Sequence, residues 1–235
     1  DNLGYLYAYN YEKDKVLWAK NYKIPFRSNI KVFNNKLVLA NQNNDLFFID
    51  KTNGDKLNSI PTEETTVKNN FINNISFNNK NTFFLNTYGS LYSIRNNDMK
   101  INWFINLNQS NDINPSNLFY GNEVISRNNK IVVTSNRHTY ILDSENGSII
   151  LKKNFTSIIK PLIVDKYVFF ITKNNLLISL NIDDGELLYS YNINKKISDF
   201  LKTKQKKVSF KMLMLSNGKL LVFLKNSYVL TFSLK

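Results

Sequence analysis

Cysteine is absent from the 235 residues, which excludes disulfides, thiolate metal sites and cysteine nucleophiles without fixing the compartment. An oxidising space would suit a chain with no unpaired thiol. The single histidine, His138, cannot build a multi-histidine metal site, and no acidic cluster adjoins it. No apolar run approaches the roughly 20 residues that a membrane-spanning helix needs. A phosphate-cradling glycine loop, a nucleophile elbow and a Cys/His metal spacing are all missing, as is any nucleic-acid signature beyond net charge. Glycine and proline are scarce as well, at seven and four residues. In a strand-rich chain that scarcity hands much of the turn work to asparagine, which tolerates positive φ better than other non-glycine residues.

What the chain does have is core material and positive charge. Hydrophobic residues make up 43% of it, with 17 Phe and 13 Tyr. The net charge is +13, from 31 Lys and Arg against 18 Asp and Glu. Such a balance favours anionic partners. However, Asn, Lys, Ile, Phe and Tyr dominate together, and these are residues of AT-rich codons, so part of the charge reads as compositional. The basic residues are scattered along the chain rather than gathered in one stripe, and no nucleic-acid partner is expected.

Internal periodicity sets the fold. Six strand segments end at Asn10, Asp50, Arg95, Asp143, Asn181 and Ser233, with spacings of 40, 45, 48, 38 and 52 residues. Four residues after these anchors stand Asp14, Gly54, Met99, Gly147 and Gly185. Eight residues after them stand Trp18, Asn58, Trp103, Leu151 and Tyr189. Six residues before them stand Gly4, Asn44, Gly89, Arg137, Asn175 and Ser227, where a hairpin turn is predicted. Asn-Gly and Asp-Gly at 53–54, 146–147 and 184–185 are strong short-hairpin signals. Upstream of each pair runs a very apolar strand, such as Phe83-Phe84-Leu85 or Val168-Phe169-Phe170-Ile171, which predicts cover on both faces. The only helix-period segment lies at 195–207. Strand-rich units at this period predict an all-β fold, a β-propeller of four-stranded antiparallel blades in one domain over 1–235. The first unit has two strands and the last has three. The opening Asp1-Asn2-Leu3-Gly4 falls straight into a repeat, which predicts further sequence upstream.

Gly4-Tyr-Leu-Tyr-Ala-Tyr-Asn10 with Lys15-Val-Leu-Trp18 resembles the quinoprotein (PQQ-type) repeat, as do Asp50-Lys-Thr-Asn-Gly54, Asp143-Ser-Glu-Asn-Gly147 and Gly89-Ser-Leu-Tyr92 with Trp103. The resemblance implies an incomplete portion of a seven- or eight-bladed propeller. It implies that Trp18, Trp103, Asp50, Gly54, Asp143, Gly147 and Gly185 are structural repeat positions, the tryptophans docking one blade on the next.

Two branches of that family diverge in function. The quinoprotein dehydrogenases need a quinone, Ca²⁺ held by oxygen ligands and a carboxylate base. Here the acidic residues Asp50, Asp143, Asp183 and Asp184 sit in turns, where capping is their ordinary work. The other branch is the non-catalytic propeller of outer-membrane β-barrel assembly, a periplasmic lipoprotein. Resemblance to it implies no cofactor and no metal, a location at the outer membrane, a protein partner in the periplasmic domains of the assembly barrel, and membrane contact only through a lipid anchor outside this chain. A sensor propeller of a larger receptor is the reading from a third class. Candidate partner residues are Arg137 and His138, expected exposed at a hairpin tip, and Lys202, Lys204, Lys206 and Lys207 in the densest basic stretch. The long excursions at 61–74, 109–122 and 195–207 are the expected partner surfaces.

Overall fold

The computed structural model describes residues 1, 3–64, 74–108, 124–135, 137–202 and 208–234. It divides into two compact units, Asp1–Ser126 and Arg127–Lys235. Most of the three long excursions, at 65–73, 109–123 and 203–207, lies outside the described residues, and with it Lys204, Lys206 and Lys207.

The first unit holds a hairpin of β1 (Tyr5–Asn10) and β2 (Lys15–Asn21), then two four-stranded sheets. One consists of β3 (Lys31–Phe33), β4 (Lys36–Ala40), β5 (Leu46–Asp50) and β6 (Lys56–Ile60). The other consists of β7 (Asn74–Phe77), β8 (Asn81–Leu85), β9 (Ser90–Arg95) and β10 (Ile101–Asn106). The second unit opens within β11 (Ile125–Arg127), which leads β12 (Lys130–Thr134), β13 (Thr139–Asp143) and β14 (Ile149–Lys153). There follow β15 (Leu162–Val164), β16 (Tyr167–Ile171), β17 (Leu176–Asn181) and β18 (Leu187–Asn192). A helix, α1 (Ile193–Leu201), precedes a three-stranded sheet of β19 (Phe210–Ser216), β20 (Lys219–Leu224) and β21 (Val229–Ser233). Within every sheet the strands run in chain order. These six antiparallel sheets are the blades of an all-β propeller fold.

The repeat positions are backbone requirements. The anchors Asp50, Arg95, Asp143 and Asn181 end the third strands of their blades, and each carbonyl accepts the amide four residues on: Gly54 to Asp50 at 2.9 Å, Met99 to Arg95 at 2.9 Å, Gly147 to Asp143 and Gly185 to Asn181 at 3.0 Å. The fourth residue there is left-handed, at φ +57° for Met99 and +75° for Gly54 and Gly147, and Asp14 in the first hairpin stands at +49°. Glycine adopts this conformation without steric cost. The anchor side chain completes the turn. Asp143 Oδ1 accepts from the amides of Glu145 (2.7 Å) and Asn146 (3.2 Å), and Asn10 Oδ1 does the same for Glu12 and Lys13. The Asn-Gly signals therefore do not mark two-residue turns. The loops are longer, and each is followed by a register shift in the ladder, as between Phe48 and Ile49. Two-residue turns with both residues left-handed occur instead at Asn128-Asn129 and Asn217-Gly218, which join the first strand of a sheet to its second.

Within each unit, cores lie between successive sheets. Val38, Ala40, Leu46 and Phe48 of one sheet pack with Ile75, Phe84, Tyr92 and Ile94 of the next. Strands β8, β12 and β16 are almost wholly buried, as their continuous apolar runs predict. Strand β20 differs: Leu220, Val222 and Leu224 are buried while Leu221 and Phe223 are not, so only one of its faces is in the core. The helix also starts two residues earlier than its periodicity suggests, because Asn192 caps it by accepting the Lys195 amide at 3.0 Å.

Candidate functional site

Trp18, Asn58 and Leu151, each eight residues after its anchor, dock blade on blade. Trp18 is 9% exposed, and its indole N–H donates to the carbonyl of Lys51 in the following blade at 3.0 Å. Its ring lies over Gly54, where a Cβ would fall 2.6 Å from Trp18 Cε3. Leu151 covers Gly185 in the same way, with Cδ1 2.8 Å from the missing Cβ. Asn58 makes the contact with a hydrogen bond, its amide donating to the carbonyl of Met99 at 3.0 Å. Trp103 is half-buried, with its ring centroid 6.1 Å from that of Phe83. Residue size is balanced across the ladder at this position. Small Ala8 and Ser93 face Trp18 and Trp103, whereas large Phe48 faces Asn58.

Of the expected partner residues, Arg137 and His138 sit in the β12–β13 turn. Ser135 Oγ accepts both their amides, at 3.2 and 2.9 Å. Arg137 is exposed, but His138 is half-buried rather than exposed, because its ring lies 5.9 Å from that of Tyr140. Burial, then the nearby Lys152 and Arg137, pushes the imidazole below its ordinary pKa. The Lys152 ammonium lies over the Tyr140 ring at 5.6 Å. The tip is thus a small cationic and aromatic patch of Arg137, His138, Tyr140 and Lys152 at one end of a blade. Lys202 lies well away in sequence, as the left-handed C-cap of α1, and is exposed.

A second site was not anticipated. Glu63 follows β6 and turns both carboxylate oxygens onto the next blade. Oε1 accepts from Ser90 Oγ at 2.6 Å, and Oε2 accepts from Tyr92 OH at 2.8 Å and Asn86 Nδ2 at 2.6 Å. Asn44 Nδ2 donates to the Glu63 carbonyl at 2.9 Å and to Thr87 Oγ1 at 3.0 Å. Burial opposes ionisation of Glu63, but the hydrogen bonds from Ser90, its own amide, Tyr92 and Asn86 outweigh it, and its pKa falls below the usual value. Burial and the adjacent Glu63 push the Tyr92 phenol well up. The network clamps the crossover between two blades. Its members are scattered over positions 44, 63, 86, 90 and 92, and no sequence motif joins them.

The quinone-dependent chemistry of the dehydrogenase branch finds no matching donor set among the described residues. Among the described residues no three His, Cys, Asp or Glu side chains converge to hold a metal. The carboxylates are instead committed to turns and ion pairs, Asp50 with Thr52 and Asn35, Asp98 with Arg95, and Asp55 with Lys20.

A family model described as outer membrane protein assembly factor BamB matches residues 120–227. The structure of BamB from Moraxella catarrhalis matches 99% of this chain and 68% of its own, with TM-score 0.77 and 12% identity. The chain is a propeller of quinoprotein-type repeats that resembles BamB. The same blades recur in the computationally designed Ika8 protein, at TM-score 0.74 and 10% identity over 99% of this chain and 66% of that one. They recur also in the quinohemoprotein alcohol dehydrogenase ADHIIG from Pseudomonas putida HK5, at TM-score 0.69 and 10% identity over 92% and 42%. At these identities the likeness speaks for the fold alone. This BamB-like propeller spans about two thirds of the first two structures and under half of the dehydrogenase. No curated protein matches by sequence.

Proposed function

We propose that the chain is a non-catalytic binding propeller that works in outer-membrane β-barrel assembly from the periplasmic side of that membrane, through a protein partner. The observation that carries this reading is the BamB family match over residues 120–227, joined to a BamB-like fold along 99% of the chain. The chemistry of the blades agrees with it. The Asp143 carboxylate closes a turn, and the blade-docking positions carry packing residues. The partner surface we assign is the Arg137–His138 tip with Tyr140 and Lys152, which presents fixed positive charge beside an aromatic ring on a rigid hairpin. Such a patch suits an acidic segment of a partner domain. Lys202, Lys204, Lys206 and Lys207 add further positive charge to the same half of the chain. The test is physiological. In source cells lacking the protein, folded outer-membrane barrels should accumulate more slowly, as read by heat-modifiable gel mobility. An unchanged rate would overturn the assembly role.

A further inference from the structure

The outer strand of a sheet presents an open backbone edge, and proteins guard such edges with charge. Lysine does this in β2 (Lys15, Lys20), β6 (Lys56) and β14 (Lys152, Lys153). Strands β10 and β18 carry no charged residue. In β18 that gap coincides with a second feature. Leu187, Leu188 and Tyr189 are 53%, 46% and 38% exposed, the longest run of consecutive exposed large hydrophobic residues among the described residues. In β10 such residues stand singly, as Ile101 and Phe104. Successive residues of a strand point to opposite faces, so a protein docked on one face would cover only alternate members of the run. A strand laid alongside β18 flanks both faces at once. The backbone direction suits one. The register with β17 and the bond from the Ile193 amide to the Asn175 carbonyl at 3.1 Å make Tyr189 and Tyr191 the residues that bond inward. By the alternation of an antiparallel ladder, the N–H and C=O of Ser190 then point outward.

We propose that β18 is a contact between two copies of this chain, their β18 strands pairing antiparallel about a two-fold axis at Ser190 and joining the sheets of two blades into one. Two observations select a second copy. The first is the edge itself, since an antiparallel edge carries the same donors and acceptors as its partner and is complementary to itself. The second is the charge at its ends. Glu186 directly precedes the strand and Lys195 stands in the first turn of α1 after it, both exposed. An antiparallel pair therefore sets the acidic end of each strand at the basic end of the other. Between those ends the paired residues carry no charge, so pairing strips no ion of its water. The contact lies on a different blade from Arg137 and His138 and is independent of the partner reading.

The test is sedimentation velocity of the full chain over a concentration series. A single strand edge is a small interface, so a dimer is expected at about 100 μM that dissociates on dilution. Ser190→Lys sets two ammonium groups at the axis and should weaken the dimer at least about tenfold. The Ser190 side chain is exposed, so an unchanged thermal melt separates lost pairing from lost folding. Phe104→Lys places the same charge on β10 and should leave the dimer intact. Ser190→Cys introduces a single thiol into a chain that has none. Its oxidation should give a covalent dimer, because residues paired at a hydrogen-bonded site lie about 5.5 Å apart between Cα atoms. The proposal is overturned if the chain sediments as a monomer at every concentration, or if Ser190→Lys leaves the dimer unchanged. Loss of the dimer in Phe104→Lys instead would assign the contact to β10 and overturn it as well.

Discussion

Replacing Gly54 by Ala tests the blade-docking geometry because its cost has two separable parts. The residue sits at φ +75°, and a left-handed alanine costs about 1–2 kcal/mol. Its new Cβ would also lie 2.6 and 2.8 Å from Trp18 Cε3 and Cζ3. Relieving that overlap moves a ring already fixed by the hydrogen bond to Lys51, an overpacking cost of about 1–3 kcal/mol. Gly54→Ala alone is therefore expected to destabilise by about 2–5 kcal/mol. Trp18→Ala should cost about 3–5 kcal/mol, since it empties a buried site. In the double variant the overlap vanishes and only the left-handed strain remains. The double variant should then be about 1–3 kcal/mol more stable than the sum of the single effects. Urea unfolding followed by far-UV circular dichroism, which does not rely on the removed tryptophan, measures all four corners of the cycle. Additivity within about 0.5 kcal/mol would mean that ring and glycine are not in contact, and would refute the docking geometry.

Other consequences follow from single residues. Ser179 Oγ is buried with no hydrogen-bond partner among the described residues, so Ser179→Ala should be neutral or stabilising by about 1 kcal/mol in the same unfolding assay. Glu63→Ala strands the donors of Ser90, Tyr92 and Asn86 and should cost about 1–2 kcal/mol at neutral pH. Because the folded state lowers the Glu63 pKa, its contribution is present above the ordinary carboxylate range and is lost as pH falls through the lowered value. Glu63→Gln should therefore flatten that part of the acid limb. His138 works in the same direction at higher pH. Its pKa is depressed on folding, so stability declines as pH drops from the ordinary imidazole value toward the lowered one, and His138→Gln should remove that slope from a melt-versus-pH series.

The sequence exposed the parts of the fold that each depend on one residue's backbone or bulk. A left-handed residue must follow every anchor by four, and glycine or a tolerant substitute appears there. A docking side chain must follow by eight, and Trp18 and Leu151 do so. Asn34, Asn44, Asn128, Asn129, Asn175 and Asn217 take positive φ, the turn work that scarce glycine left to asparagine. Arg137 departs from the register: it is not left-handed, and Ser135 Oγ accepts its amide and that of His138. The Glu63 clamp stayed hidden because its donors come from separate strands and turns, which a linear reading cannot assemble. His138 was expected exposed because its neighbours are polar. Its partial burial comes from Tyr140, a residue the repeat reading treats only as strand. The start of α1 was likewise set by a side chain outside the periodic segment, Asn192.

The proposed role rests on binding, and titration calorimetry of the full-length protein with the periplasmic domains of the matching outer-membrane assembly barrel tests it most directly. The account predicts micromolar or tighter binding that weakens as salt rises, and that weakens further in Arg137→Ala with Lys152→Ala. Absence of heat at both low and high salt would contradict the assembly role while leaving the propeller fold in place.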